Sequence, residues 1–183
     1  MRIISGKLKG KTITAPKGLP VRPTTDLAKE GLFNILVHEV DFENIDYLEL
    51  FAGTGSILYE FYSRGTTNIT AVDIDKGCIQ FIRNTCEQLS IPARIMRCSA
   101  NEFIKRCTNQ YQVIFADPPY EIGRLEELPG WIFNADILSE NGMLIIEHPN
   151  QYDFSKHAHF YKHKSYGKVN FTFFKKEQLE TET

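Results

Sequence analysis

The sequence predicts an α/β protein with a largely parallel sheet, helices on both faces and an antiparallel hairpin at one end. Five short apolar runs alternate with amphipathic stretches, and they lie at residues 47–51, 69–72, 93–96, 113–116 and 143–146. This alternation is typical of βαβ units. Two further strand-like runs, 158–163 and 168–174, meet at Tyr166 and Gly167 with no room for a helix between them. They should pair antiparallel, which gives a mixed sheet of seven strands.

The helices are predicted between these runs. Apolar residues at helical spacing begin at Leu27, after the possible N-caps Thr24, Thr25 and Asp26, and this helix should end near Val40. Further helical patterns lie at residues 56–64, 76–89, 101–107 and 125–138. Residues 1–24 form an extension, in which two β-prone runs around Gly6 and Gly10 predict a small hairpin. The main domain then covers residues 25–176, and residues 177–183 are expected to form a flexible tail.

Charge is distributed unevenly along the chain. The formal net charge is only -2, yet residues 1–25 hold six basic side chains and no acid, whereas residues 26–150 hold nine basic and nineteen acidic ones. A basic arm on an acidic body can bind phosphates locally while the body repels other polyanions. A merely solvated charged surface explains the pattern equally well. The candidate phosphate contacts displayed by the predicted hairpin are Arg2, Lys7, Lys9 and Lys11.

The sequence gives no sign of a membrane or export role. No apolar run approaches the roughly 18 residues of a membrane span, and the amino-terminal residues lack the long apolar region of a signal peptide. A cytoplasmic location is therefore expected. The cysteine spacing fits neither a paired metal site nor a disulfide framework, so no metal is expected either. The four cysteines are Cys78, Cys86, Cys98 and Cys107.

The strongest local motif is a Gly-x-Gly turn, Gly53 to Gly55, between the first apolar run and a helix. Glycines permit positive φ and let a ligand approach the backbone, and the helix N-terminus adds positive potential. The dinucleotide fingerprint would need another glycine where Leu58 stands. Asp73 ends the next run, 18 residues past Gly55, where a carboxylate can accept hydrogen bonds from both ribose hydroxyls. Either motif alone is more simply a tight turn or a loop acid; together they favour a nucleoside cofactor.

A second motif, Asp-Pro-Pro-Tyr at residues 117–120, follows the fourth apolar run. Ligands bind at this edge of open α/β sheets. The prolines fix an extended turn without donors, so the Asp117 carboxylate and the Pro118 carbonyl can accept hydrogen bonds from an exocyclic amino group. Tyr120 can stack on a flipped-out base, which is worth about 1–3 kcal/mol. Glu147, at the end of the fifth run, either lines the same pocket or forms a strand-end salt bridge.

Together these motifs resemble the class I S-adenosylmethionine-dependent amino-methyltransferases, which have a Rossmann-like fold. A wider set, in this order and over nearly the whole chain, resembles the RsmD-type bacterial 16S rRNA (guanine-N2-)-methyltransferases. That set is Arg-Ile-Ile-Ser-Gly at 2–6, Arg-Pro-Thr-Thr-Asp at 22–26 with Glu30 and Phe33-Asn34, Leu-Phe-Ala-Gly-Thr-Gly at 50–55, Ser-Arg-Gly at 63–65 and Asp-Pro-Pro-Tyr at 117–120. The resemblance implies S-adenosylmethionine as the cofactor and a monomer that acts on 16S rRNA within the small ribosomal subunit.

The resemblance also implies roles for individual residues. Glu49, Gly53 and Gly55 would hold the amino-acid end of S-adenosylmethionine, and Asp73 would hold its ribose. The catalytic residues implied are Asp117, Pro118, Pro119 and Tyr120. The remaining residues implied at the cofactor are Arg22, Thr24 and Thr25 beside the methionine moiety, and Phe51, Ile74, Ser99, Ala100 and Asp117 elsewhere in the pocket. The family usually has an acid after the third strand; here the run is Cys98-Ser99-Ala100, so adenine contacts there would rest on the backbone and the Ser99 hydroxyl.

The implied reaction is methylation of the N2 amino group of guanine, with guanine 966 of the 16S rRNA as the target. The N2 lone pair is delocalised into the ring, so hydrogen bonds to Asp117 and the Pro118 carbonyl would hold and aim it, and positioning supplies a large part of the catalysis. A DNA N6-adenine methylase shares the second motif but usually carries a larger target-recognition region. A protein-glutamine methylase more often has Asn at position 117. An RNA-binding protein without turnover is the non-enzymatic alternative.

Overall fold

The computed structural model describes residues 1–20, 24–119 and 123–176. Its strands are β1 (Asp46–Leu50), β2 (Asn68–Asp73), β3 (Ala93–Arg97), β4 (Tyr111–Ala116), β5 (Leu138–His148), β6 (Phe160–Tyr166) and β7 (Val169–Lys175). They form one sheet in the order β3-β2-β1-β4-β5-β7-β6. The five strands from β3 to β5 are parallel, and β7 pairs antiparallel with both β5 and β6. The seven-stranded mixed sheet with a terminal antiparallel hairpin is therefore confirmed.

Helices cover both faces of the sheet. They are α1 (Asp26–Leu36), α2 (Ser56–Ser63), α3 (Lys76–Leu89), α4 (Ala100–Arg106) and α5 (Leu128–Asn134), the last preceded by a 3-10 turn at Leu125–Glu127. Apolar side chains of α1, α2 and α3 pack against one face, where Tyr47 and Phe115 point. Those of α4 and α5 pack against the other, where Leu48 and Leu50 point. Each central strand is thus buried on both sides, as expected for a parallel sheet.

Several predicted element ends were wrong. The first helix ends at Leu36, and the chain continues to residue 40 as a turn that includes i→i+3 hydrogen bonds. The helix predicted for 125–138 ends at Asn134, because Asp136 takes a left-handed conformation (φ 54°) that stops it. β5 then begins at Leu138 rather than 143. Asn141 (φ 59°) lies inside this strand, and the pairing with β4 shifts register there.

The N-terminal extension is docked on the α1 and α2 side of the sheet. Its predicted hairpin has a single antiparallel bridge, Arg2 to Thr12, and is not a regular ladder. Ile3 and Ile13 are buried in the core on that side. Polar contacts also anchor it: Glu60 accepts from the Ile4 N–H at 2.6 Å, and buried Lys29, which lies 3.3 Å from Glu60, donates to the Arg2 carbonyl at 2.6 Å. The extension is therefore part of the main packing unit and presents its basic side chains from a fixed position.

The topology places a crevice at one end of the sheet. Strand order reverses between β1 and β4, and the carboxyl ends of both strands meet there. Open parallel sheets bind ligands at such a point. Within the described residues, every helix is too short or too polar to cross a membrane. The expected tail, residues 177–183, lies outside the described part of the chain.

Candidate active site

Four carboxylates lie at the carboxyl ends of four neighbouring strands. Asp73 ends β2, Glu49 lies one residue before the end of β1, Asp117 follows β4, and Glu147 lies near the end of β5. Because neighbouring strands are about 4.8 Å apart, the group spans about 14 Å along this edge of the sheet. The parallel topology brings together acids that are up to 98 positions apart in sequence. We call these four residues the carboxylate row.

The Gly-x-Gly turn closes one side of the row with a strained backbone. Gly53 and Gly55 have φ of 53° and 75°, and Phe51 also has a positive φ, 58°. A non-glycine residue in that region is costly and is found at functional sites. Gly55 begins α2 without a side-chain cap. The buried Ser56 hydroxyl at the same helix end has no hydrogen-bond partner among the described residues. This helix end therefore keeps polar capacity for a ligand.

Asp73 fastens two loops of the site to each other. One of its carboxylate oxygens accepts from the Gly53 N–H at 2.7 Å, and the other accepts from the Asp75 N–H at 2.8 Å. Each oxygen can accept a second hydrogen bond. The carboxylate is half-buried at the end of β2. It therefore fixes the glycine turn and still offers acceptors toward the crevice.

Glu49 is a buried acid without a cationic partner among the described residues. Its side chain is 3% exposed, it accepts from the Tyr47 hydroxyl at 2.8 Å, and the Leu58 N–H also donates to it. Burial raises the pKa of Glu49 to about 8; the two hydrogen bonds oppose this and the Asp73 charge adds to it. Tyr47 was not predicted as a site residue. The sequence feature that could have identified Tyr47 is its i, i+2 spacing to Glu49, which puts both side chains on one face of β1.

Asp117 and Glu147 are the other two acids of the carboxylate row, and both have raised pKa values. Burial raises the pKa of Asp117 well above its usual range, and the charges of Glu147 and Glu49 raise it further. Burial likewise raises the pKa of Glu147 to about 7, opposed by a hydrogen bond from Thr24. The Thr24 hydroxyl donates to Glu147 at 3.1 Å. Among the described residues Glu147 therefore bonds Thr24 and forms no salt bridge; that it lines the pocket stays a prediction.

The other residues expected at the cofactor take separate positions. Thr25 caps α1, since its hydroxyl accepts from the Ala28 N–H. Ile74 is 67% exposed directly after β2, and Ala100 is buried in the first turn of α4. The Ser99 hydroxyl caps α4 and also bonds the Glu102 carboxylate, so it is engaged within the protein. Arg22 and Tyr120 lie outside the described residues.

The two prolines of the second motif differ in exposure, whereas the basic residues expected to contact RNA are all exposed. Pro118 is buried and Pro119 is exposed beside half-buried Asp117. The four candidate RNA contacts of the extension are exposed, and they are Arg2, Lys7, Lys9 and Lys11. Lys7 Nζ lies 3.6 Å above the Tyr62 ring, and Arg2 lies 3.9 Å from Asp26 at the start of α1. The basic arm therefore continues toward the segment that carries Thr24.

The carboxylate row suits an extended organic cation. Three of the four acids, Glu49, Asp117 and Glu147, have raised pKa values, and they favour a ligand that brings positive charge, because such a charge stabilises their ionised forms. Within the described residues, three of them never lie close enough together to share a single metal ion. The polar helix end at Ser56 and the acceptors on Asp73 add hydrogen-bonding sites for a polar, hydroxyl-bearing ligand.

Comparison with known proteins gives the family. The model of the family described as "Conserved hypothetical protein 95" matches residues 1–175. Two curated relatives are YlbH of Bacillus subtilis (strain 168) and "Ribosomal RNA small subunit methyltransferase D" of Escherichia coli (strain K12). YlbH is 33% identical over 156 residues, which cover 82% of this chain and 84% of the relative. The Escherichia coli protein is 31% identical over 148 residues, which cover 80% and 71%.

Solved structures share the fold. The structure of yhhF from Escherichia coli matches with a TM-score of 0.85 and 27% identity over 97% of this chain and 98% of that one. The Thermus thermophilus 16S rRNA N2 G1207 methyltransferase RsmC, solved with AdoMet and guanosine, matches with a TM-score of 0.69 and 16% identity over 87% of this chain and 45% of that one. On the whole-length family match and these relatives, the chain belongs to the RsmD family of ribosomal RNA small subunit methyltransferases.

Proposed function

We propose that this protein transfers a methyl group from S-adenosylmethionine to the N2 amino group of a guanine in small-subunit rRNA, and that guanine 966 is the nucleotide. The observation that carries the proposal is the carboxylate row beside a proline-fixed turn of acceptors. The row favours a cationic cofactor, and the turn favours a substrate that presents an amino group. Relatives named as small-subunit rRNA methyltransferases support the choice of rRNA.

The residues of the crevice fit S-adenosylmethionine. Bound S-adenosylmethionine supplies an electrophilic methyl group on a positively charged sulfonium, which is a good leaving group. Glu49 and the amides of the glycine turn would hold its charged amino-acid end, and Asp73 would accept from its ribose hydroxyls. Ile74, exposed directly after Asp73, offers an apolar surface for the adenine. Ser99 does less than expected there, because its hydroxyl already caps α4.

Asp117 and Pro118 would hold the target amino group. The Asp117 carboxylate and the Pro118 carbonyl would accept hydrogen bonds from the two N–H groups, which favours a pyramidal nitrogen, reduces the conjugation of its lone pair with the ring and fixes the direction of that lone pair. The Asp117 carboxylate is a stronger and more complete acceptor when it is ionised. A cation within the carboxylate row lowers the raised pKa values of Glu49, Asp117 and Glu147, so the bound cofactor makes Asp117 the better acceptor.

The basic arm would contribute affinity for rRNA. Its four exposed cations lie on the extension that is anchored to α1 and α2, and Arg2 approaches the first turn of α1. Lysine and arginine side chains bind phosphates without regard to sequence. The choice of nucleotide would then come from the pocket and from the shape of the ribosomal subunit, on which a monomer of this size would dock.

The test is methyl transfer from radiolabelled S-adenosylmethionine to small subunits that lack the modification, to their extracted rRNA and to unmethylated DNA. We expect N2-methylguanosine in the rRNA of the subunit, at position 966 when the RNA is mapped. Label recovered as N6-methyladenine in DNA would refute rRNA as the substrate, but it would agree with the role proposed for Asp117 at the target amino group. Binding of rRNA without any label would refute the enzyme and favour a binding protein.

One substitution distinguishes the residues proposed to bind the target base from those proposed to bind the cofactor. Asp117→Ala should lose most turnover, about 100-fold or more if positioning is its task, while S-adenosylmethionine still binds in calorimetry. The matched control is Glu87→Gln, an exposed acid on α3, which should leave both quantities unchanged. Loss of cofactor binding in Asp117→Ala would contradict the proposed division between the cofactor and target residues.

A further inference from the structure

The acidic body of the protein has one basic edge. Residues 26–150 hold nine basic side chains, and six of them fall between residues 76 and 106, where there are only two acids. These residues form α3, β3 and α4, and β3 is the outermost strand at that end of the sheet. Elsewhere between residues 26 and 150 the acids outnumber the bases by seventeen to three. Positive charge is therefore concentrated on the β3 edge.

This edge contains a groove between β3 and α4. The groove has a volume of about 320 Å³, and three arginines line it: Arg94 and Arg97 on β3 and Arg106 at the end of α4. A second depression of about 410 Å³ shares Arg94 and Asn109 with it; this one lies at the amino ends of β1, β2 and β4, and Asp46, Asn68 and Gln110 are among its lining residues. The first depression is the polar groove that runs along the edge strand. We call it the β3 groove.

The three guanidinium groups form no ion pair with the part of the chain that the structure describes. All three side chains are exposed, and among the described residues none lies within the 4.0 Å of a carboxylate that an ion pair requires. Glu102, one turn before Arg106, is already bound to the Ser99 N–H at 3.1 Å and to its hydroxyl at 2.9 Å. Arg97 Nε donates to the Ile74 carbonyl at 3.3 Å, which holds that side chain at the mouth of the groove.

Phosphate groups of RNA suit this surface best. Arginine binds phosphate oxygens through its planar fork of donors, and side-chain amides can bond base edges or 2′-hydroxyls beside the backbone. Three separated cations along an open polar channel match a repeating polyanion better than one small anion. The groove also lies across the sheet from the basic arm: α4 packs on one face and the arm docks on the other.

We propose that the β3 groove is a second RNA contact surface, at which Arg94, Arg97 and Arg106 bind backbone phosphates of the rRNA outside the target nucleotide. The proposal rests on the proposed function for the identity of the RNA. The arm and the groove would then hold the RNA on both sides of the carboxylate row. This explains how an acidic body presents its catalytic crevice to a polyanion.

The first test measures the salt dependence of binding to 16S rRNA for the wild type and for Arg94→Gln/Arg97→Gln/Arg106→Gln. Each lost phosphate contact reduces the slope of log affinity against log salt by about 0.7–0.9, so the triple variant should lose about 2–3. Its unfolding transition and its affinity for S-adenosylmethionine should match the wild type. The charge-matched control alters three exposed lysines near the opposite edge of the sheet: Lys156→Gln, Lys164→Gln and Lys168→Gln.

The outcomes are distinct. The proposal is overturned if the salt slope is unchanged in the arginine variant, or if the slope falls equally in the lysine control. In either case the proposed function still holds if the wild type methylates rRNA. Failure of the wild type to bind or methylate rRNA overturns both.

A second test needs no substitution. Half-buried Cys98 and Cys107 line the groove, whereas Cys78 and Cys86 are buried in the cores. Bound rRNA should slow the alkylation of both thiols by iodoacetamide several-fold, whereas S-adenosylmethionine alone should leave the rate at Cys107 unchanged, because only Cys98 adjoins Ser99 and Ala100, which are expected at the cofactor. Unprotected thiols under saturating rRNA would contradict the proposal.

Discussion

Replacing Lys29 with methionine tests how the basic arm is attached to the body. Lys29 is 1% exposed and Glu60 is fully buried. Lys29 Nζ lies 3.3 Å from Glu60 and donates to the Arg2 carbonyl at 2.6 Å. Methionine keeps the length of the side chain and removes the charge. Glu60 would then keep Arg64, at 3.6 Å, and the Ile4 N–H, and the Arg2 carbonyl would lose its donor.

The expected loss is large because a buried charge is left with fewer partners. Breaking a buried ion pair from one side costs about 3–5 kcal/mol, and for a chain of this length that lowers Tm by about 6–20 °C. Urea unfolding followed by the fluorescence of Trp131, the single tryptophan, gives the free energy directly. Exposed Lys105→Met is the control and should change it by less than about 0.5 kcal/mol.

The double variant Lys29→Met/Glu60→Gln tests whether the unpaired Glu60 carboxylate causes the loss of stability. Removing both charges should recover a substantial part of the loss, because no unpaired carboxylate then stays in the core. A loss below about 1 kcal/mol in Lys29→Met, or a double variant no more stable than the single one, would refute the assignment of the stability to this pair.

Three further predictions concern the site and its surroundings. The free energy of unfolding of the ligand-free protein should fall as pH rises from about 5 to 8, because the pKa of Glu49 is near its ordinary value in the unfolded chain and about 8 in the folded protein. In urea titrations Glu49→Gln should reduce this dependence of stability on pH, and an undiminished dependence would contradict the assignment. Gly55→Ala should lose about 1–2 kcal/mol, since φ is 75° and the new Cβ would lie 3.0 Å from Tyr59, and its affinity for S-adenosylmethionine should fall in calorimetry. Gly31→Ala, whose Cβ would lie 2.1 Å from the Tyr166 ring, should cost about 1–3 kcal/mol, and far less in a Tyr166→Ala background; equal costs in the two backgrounds would count against the clash.

The parts of the site that glycine and proline define could be predicted from the sequence. Gly53 and Gly55 have the positive φ expected of a tight turn, and Pro118 and Pro119 follow β4 as predicted. These residues restrict the backbone locally, so their effect can be inferred without knowing the fold. The five apolar runs likewise predicted the five parallel strands, because a buried parallel strand must be apolar on both faces.

Long-range contacts could not be predicted in the same way. The Thr24–Glu147 hydrogen bond joins residues 123 positions apart, and only the sheet order brings them together. Positive φ at Phe51 also had no local signal, since the surrounding tertiary structure imposes this conformation. Lys29 had one: it lies three and four residues before Leu32 and Phe33, on the buried face of α1. Its partner Glu60 was not identifiable from that spacing.

The way in which the N-terminal extension is anchored affects how the chain folds during its synthesis. Ile4 and Leu8 bond to Glu60 and Ser63, which are 56 and 55 positions later. At about 5–20 residues per second, a ribosome needs about 3–11 s to make that interval. The most basic segment of the chain is therefore synthesised several seconds before its docking site exists. During that time its cations are unpaired beside the translating ribosome, itself rich in RNA, and the segment can reach its native position only after α2 has formed.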